Sequence, residues 1–450
     1  MGMTVAIAVQ AIAGLLFALG IAAFAALVQG CFALRRMSRA RRQNYAAVLL
    51  KSPMVPPVST IAVPSDASAE SLQFARRLLE LHFGKNEVVI VLDGPAESEL
   101  EVWIREFQLC TSARGIGKTL PSAPVRGVYE SRDPIRVVVI DKEPGGPVDA
   151  WNAAVNACTS PVIGLLDPAS EFQPDVLLRL IQPMLESAEE TIAVCGGVSA
   201  VPETGMMAQF GALESLRAWM TRGAAFASRN KTLPFPGSAV LVRRSSVLQA
   251  GGFTGGTLEL FVRLHGLARA AGKPYRIAFL PEPISRSRTP KTRAELRLQV
   301  KRDQREIARA FFHRVALAGP YGSKLLGGLF WVRAVRPCLE MATYVLAIAG
   351  LAMGWVDIFG VLLLLAATIG TGIVLSMAAV VLREFAEPNS PDERRMAAMF
   401  FAAIPENLGY RQLRNMWLIT GFCSFAGPKK QNRESPVQDR PPAVSALPIK

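Results

Sequence analysis

The chain has little of what metal and thiol chemistry needs. Across 450 residues there are three histidines, and His82, His265 and His313 stand isolated from one another. The six cysteines (Cys31, Cys110, Cys158, Cys195, Cys338 and Cys423) are scattered and form no Cys-x-x-Cys pair. That spacing argues against a zinc site or a disulfide framework and for reduced thiols in a reducing compartment. The formal net charge is +14, yet no nucleic-acid-binding module or aromatic–basic interleaving accompanies it. Nucleic acid is therefore not an expected partner.

Charge is also missing from one long stretch. Met3–Leu34 carries none, and at this length it can cross a hydrocarbon core of roughly 30 Å. A secretory signal would place its positive charges before the apolar run, whereas here Arg35, Arg36, Arg39, Arg41 and Arg42 follow it. The reading is an uncleaved anchor over residues 1–34, with its N-terminus outside and a basic linker, 35–55, inside. Two further spans are expected at Pro337–Trp355 and Ile358–Leu382, joined by a turn at Gly354–Asp357, with a polar return from Arg383 to Arg395. The apolar runs within Met396–Phe425 are each too short to span, and they suggest a helical hairpin in the cytoplasmic face of the membrane. The last residues, 426–450, are polar and rich in proline, as disordered tails are, and include Lys429 and Lys430.

The middle of the chain reads as an ordinary globular domain. STIAV (59–63), EVVIVLDG (87–94), RVVVID (136–141) and PVIGLLD (161–167) are short apolar strand signals. Helical periodicity separates them at SAESLQFARRLLELHFG and at Asp149–Cys158. Strands alternating with helices imply an α/β domain with a doubly wound, mostly parallel sheet. Ligands bind at the carboxyl ends of strands in such sheets, which puts Asp93 and Asp167 where a nucleotide could lie.

The order of these segments resembles the family 2 glycosyltransferases, in particular the membrane-bound processive group that includes cellulose- and hyaluronan-synthase-like proteins and bacterial polysaccharide synthases. VSTIAVPSDAS is similar to the first strand of that family, and VVIVLDGPAES to the second, where an Asp-Asp-Gly turn holds the nucleoside. EPGGPVDAWNAAV resembles the Gly-Gly-Lys helix start, and VIGLLDPASEFQPDVLLRL the strand bearing the DxD motif. GSAVLVRRSSVLQAGGF resembles the acceptor-side strand, and ENLGYRQLRNMWLITGF a membrane-border segment. The resemblance implies a nucleotide-sugar-binding (GT-A-like) domain over 56–290, interfacial amphipathic helices at 291–325, and membrane segments at 326–425. It implies nucleotide contacts at Asp66, Asp93, Asp149 and Asn152.

The same resemblance shows how much of the family's chemistry is missing. The DxD position reads Asp167-Pro168-Ala169. Asp167 is either the remaining ligand for Mg or Mn or simply a turn cap before Ser170. Where relatives carry the acceptor base, this chain has Gly256-Thr257, neither able to accept a proton at neutral pH. Glu259, two residues further along a helix, points about 200° away from Thr257. The QxxRW position reads Gln299, Arg302 and Asp303, a carboxylate replacing the tryptophan that would stack on sugar. Pro147 and Leu92 replace the phosphate lysine and one nucleoside aspartate. Along QVKRDQREIARAFFHR the plainer reading is an amphipathic helix on the membrane, with Phe311 and Phe312 facing lipid.

The expectation is a multi-pass protein of the bacterial inner membrane with its main domain cytoplasmic. It would be a catalytically degenerate member of a polysaccharide (exopolysaccharide or cell-envelope glycan) assembly complex, with the lipid bilayer, another synthase subunit and a glycan or nucleotide as partners. The competing expectation is an active inverting transferase using a nucleotide sugar with Mg or Mn.

Overall fold

The computed structural model describes residues 2–40, 55–132, 136–201, 205–235, 237–288, 292–314, 319–386 and 393–426. Most of the expected basic linker, residues 387–392 of the polar return and the tail from 427 lie outside the described residues.

A long apolar helix, α1 (Gly2–Ala40), leads into β1 (Val58–Ala62), α2 (Ala69–Leu79), β2 (Asn86–Asp93) and α3 (Glu97–Phe107). Then come β3 (Leu109–Thr111), β4 (Val125–Ser131), β5 (Val137–Lys142), α4 (Pro147–Ala157), β6 (Val162–Leu165) and β7 (Ser170–Phe172). The domain continues with α5 (Val176–Glu186), β8 (Thr191–Val201), α6 (Met206–Ala218), β9 (Val240–Arg243), α7 (Arg244–Gln249), α8 (Thr257–Ala270) and β10 (Arg276–Arg288). A π-helical segment, Trp219–Ala225, extends α6.

These strands form one sheet in the order β3-β4-β5-β2-β1-β6-β9-β8-β10-β7. The four central strands, β5, β2, β1 and β6, are parallel. Their continuous apolar runs fit burial on both faces. Side chains alternate across the sheet: Val89 and Val91 enter the core under α4, while Val88, Ile90 and Leu92 enter the core under α2 and α5. Each fully buried Val or Ile contributes about 1.5–3 kcal/mol. The sheet is mixed rather than uniformly wound. β4, β7 and β9 pair antiparallel with their neighbours, and only β8 and β10 resume the parallel direction beyond β9.

After β10 the chain is helical: α9 (Arg293–Arg314), α10 (Gly319–Phe330), α11 (Arg336–Ala352), α12 (Ile358–Leu365), α13 (Thr371–Ala386), α14 (Glu393–Pro405) and α15 (Arg411–Ala426). Three helical stretches are long and apolar enough to cross a membrane: Ile7–Met37, Gly319–Ala352 and Ile358–Phe385. The second begins earlier than its apolar run suggests, because α10 passes into α11 through a π turn at Trp331–Val335. Asp357 caps the third by accepting from the Gly360 amide at 2.8 Å. α14 passes into α15 through a π-helical turn, Glu406–Tyr410, bent at Leu408 and at Gly409, whose φ of 144° suits glycine.

The same core that lies under α4 runs on into α1 (Leu27, Cys31, Leu34) and into the segment after the bend (Tyr410, Trp417, Leu418). The domain and the candidate membrane helices therefore share one interior. α9 lies within it, packing Leu296, Val300 and Ala310 inward. Phe311 does not simply face lipid: its ring stacks on Phe330 at 4.1 Å, while Phe312, half exposed, also touches Phe330 and Phe422.

Candidate functional site

The carboxyl ends of β2, β5 and β6 converge because those strands are parallel neighbours around β1. Asp93 and Lys142, which finish β2 and β5, and Asp167, two residues past β6, therefore approach the same edge of the domain. Lys142 is completely buried, and its ammonium lies 2.5 Å from Asp93 Oδ1 and 2.6 Å from Asp149 Oδ1. It also donates to the Glu143 carbonyl at 2.7 Å. Asp93 receives backbone N–H groups as well, from Gly145 on Oδ1 at 2.9 Å and from Gly146 on Oδ2 at 2.7 Å. Partial burial opposes ionisation of Asp93, but Lys142 and those two amides outweigh it and hold the carboxyl below the ordinary range.

The Gly-Gly pair is required by this arrangement. Gly146 has φ 91°, and a side-chain carbon on Gly145 would lie 2.6 Å from Asp149 Oδ1. Asp149 sits in the first turn of α4 and accepts the Ala123 amide at 2.8 Å through its other oxygen. Asn152, one turn on, is buried and bonds both ways to the backbone of Phe253, at 2.7 and 3.0 Å. It fastens α4 to the loop before α8. Asp66 lies just before α2, whose N-cap is Ser68, and accepts from Ser68 N–H at 3.2 Å and Ser71 Oγ at 3.1 Å. All four residues expected at a nucleotide are thus engaged within the protein.

Asp167 closes a turn. Its Oδ1 accepts the Ala169 amide at 2.9 Å, and its carbonyl accepts from Ser170 at 3.0 Å. Arg77 braces the turn by donating to the carbonyls of Pro168 and Ser170. With Ala169 in the second position the turn offers one side-chain carboxylate, and no group of three or more His, Cys, Asp or Glu side chains suited to a metal occurs among the described residues. The donor set does not fit a resident Mg or Mn ion held by protein ligands, so no chemical step is derived through one.

Gly256 caps α8 and Thr257 begins it. Glu259 is buried, accepts the Thr254 hydroxyl and lies 3.8 Å from Arg263, consistent with an ion-paired residue. A carboxylate does reach Gly256, but from another element. A side-chain carbon at Gly256 would lie 2.4 Å from Glu306 Oε1, on α9, and Glu306 accepts the Leu258 amide. Desolvation pushes the Glu306 carboxyl up, and the negative charge of Asp303 adds to the effect. On the same helix Gln299 and Arg302 are exposed, while Asp303 turns inward.

Sequence reasoning missed Lys142 and Glu306. Lys142 carried a signal: a lysine ending a run of four apolar residues and an aspartate can only be buried if acids meet it. Glu306 carried almost none, since its role depends on how α9 folds back against α8.

Residues 72–249 match the description "Glycosyl transferase family 2". No curated protein matches the chain in sequence. Among solved structures, the mannosyltransferase PcManGT from Pyrobaculum calidifontis, in complex with GDP-Man and Mn2+, is 18% identical with a TM-score of 0.50, over 89% of this chain and 99% of that one. S. aureus TarS 1-349 is 12% identical with a TM-score of 0.36, over 79% of this chain and 91% of that one. Residues 72–249 are thus similar to family 2 glycosyltransferases, and they sit in a GT-A-like mixed α/β fold that carries three candidate membrane-spanning helices.

Proposed function

We propose that this protein is a membrane-bound, catalytically degenerate family 2 glycosyltransferase homologue of bacterial polysaccharide synthesis, acting as a subunit or regulator beside an active synthase. The observation that carries this reading is the Lys142 clamp. A nucleoside held at the end of β2 would need acceptor oxygens on Asp93, and both are engaged by Lys142, Gly145 and Gly146. The single carboxylate of the Asp167 turn and the absence of a base on Gly256 and Thr257 point the same way. The placement that follows is the inner membrane, with the domain on the cytoplasmic side where Arg35 and Arg36 lie.

The test is calorimetric titration of the detergent-purified protein with nucleoside diphosphates and nucleotide sugars, with and without Mg²⁺ or Mn²⁺. No binding across the panel is expected. Metal-dependent binding that disappears in Asp167→Ala would overturn the reading.

One observation favours the second reading, an active inverting transferase. Glu306 brings a carboxylate with a raised pKa to the position of Gly256. A positioned base is worth about 10²–10⁴-fold in rate, so Glu306→Gln would remove about that much of any turnover.

A further inference from the structure

The junction between the domain and the helical bundle holds an unusual concentration of guanidinium groups. Glu214, on α6, pairs with Arg414 of α15, and the same oxygen lies 3.8 Å from Arg333. Arg222, in the π-helical extension of α6, lies among these groups. It has no hydrogen-bond or ion-pair partner among the described residues, only the face of Phe235, 5.4 Å from the ring centroid. Burial and then the positive Arg333 push its guanidinium down to about 9.

Neighbouring groups share the deficit. Arg333 Nε, Arg414 Nε and the Trp219 indole N–H are buried with no partner. Trp219 precedes Arg222 by three residues within the same π-helical segment. Set against these donors are Glu214, already engaged, and Asp303, which has no hydrogen-bonded or ion-paired partner among the described residues. Three arginines against two acids leave an excess of one positive charge. Leaving such donors unmade costs about 1–3 kcal/mol each, more for charged groups. Native interiors rarely tolerate that, and a group with several acceptor oxygens removes the deficit.

We propose that Arg222, Arg333 and Trp219 form an anion site at the junction of the domain with the helical bundle, and that it takes a phosphate group. A planar guanidinium matches two phosphate oxygens at once, and an indole N–H can meet a third. Arg333 belongs to the candidate span Gly319–Ala352, while Arg222 belongs to the domain, so the site faces both compartments of the fold. The phosphate can come from a lipid headgroup or from a soluble diphosphate. The inference does not depend on turnover or on the Lys142 clamp.

Thermal unfolding of the detergent-purified full chain tests it, with inorganic pyrophosphate in one arm and micelles containing phosphatidic acid in the other. Phosphatidylcholine micelles and sodium chloride of equal ionic strength are the controls. The expected result is a rise in Tm of several degrees in at least one arm, lost in Arg222→Gln and reduced in Trp219→Phe, which keeps the ring but not the N–H. Arg105→Gln, on the exposed face of α3, should keep the full shift. A shift with pyrophosphate assigns a soluble source; one confined to phosphatidic acid assigns a lipid. Should Arg222→Gln fail to fold, Trp219→Phe decides. No shift in either arm, or an equal shift in all three variants, overturns the proposal.

Discussion

Lys142 reaches Asp93 across two adjacent parallel strands, and the two residues stand directly opposite each other in register. The lysine's charge is matched before any ligand arrives. That makes the edge of the sheet a structural ion-pair cluster first, and any binding role must compete with it.

Replacing Lys142 with methionine should therefore be severe. It leaves Asp93 and Asp149 facing each other with their shared cation removed. Breaking one side of a buried ion pair costs about 3–5 kcal/mol, read as a fall in Tm or in denaturant midpoint. Asp93→Asn should show the matching pH dependence. Because the folded pKa of Asp93 is depressed, its stabilisation is present above about pH 4 and lost as pH falls through the folded value. Wild type and variant should differ at pH 7 and converge in acid; a constant gap would refute the pairing.

Asp303 behaves in the opposite sense. Burial raises its pKa, so the ionised form is less favourable in the folded protein than in the unfolded chain. Asp303→Asn should unfold at a higher temperature than wild type at pH 7. The advantage should shrink as pH falls through the folded value and vanish below about 4, where wild type is protonated in both states. A variant less stable than wild type at pH 7 would mean that attraction to Arg333 outweighs burial.

Gly30 lies against the Met220 carbonyl, 2.3 Å from where a side-chain carbon would sit. Since the obstacle is backbone, little can yield. Gly30→Leu should lower thermal stability by about 1–3 kcal/mol or more, as overpacking does. A leucine at Gly14, where nothing lies within 4 Å, should be tolerated.

Thiol reactivity gives an independent check on burial and orientation. Cys110 is exposed, whereas Cys158 and Cys195 are buried, and burial pushes the Cys158 thiol up to about 12. An impermeant maleimide should modify Cys110 in inside-out vesicles, leaving Cys158 and Cys195 unmodified until denaturation. Modification of Cys110 in right-side-out vesicles would place the domain on the opposite face.

The central strands were legible because burial on both faces leaves uninterrupted apolar runs such as VVIVL, and α4 because glycine, proline and aspartate punctuate its start. β8 was not marked as a strand, and β9 was read only through the resemblance of GSAVLVRRSSVLQAGGF, so how β8, β9 and β10 pair was not legible. Their order in the sheet is set by long-range pairing, and β8 itself contains a Gly196-Gly197 pair that reads as a turn. The site was legible as a set of positions but not as a set of contacts. Asp93 and Asp149 could be named; that one lysine engages both could not, because strand register decides it. The membrane runs were legible from charge depletion alone, but the extension of the second span back to Gly319 was not, since Arg333 and Arg336 interrupt the pattern.

The contact between Gly30 and Met220 has a geometric consequence. Gly30 precedes Met37, the end of the first candidate span, by seven residues, or about 10 Å of helix. In a bilayer the segment Trp219–Ala225 would then sit below the plane where α1 emerges, at the depth of the headgroups. With α1 in a bilayer, the domain would be moored sideways to it, its height above the lipid set by helix register. A thinner or thicker bilayer would act on that mooring directly, tilting the domain together with α1.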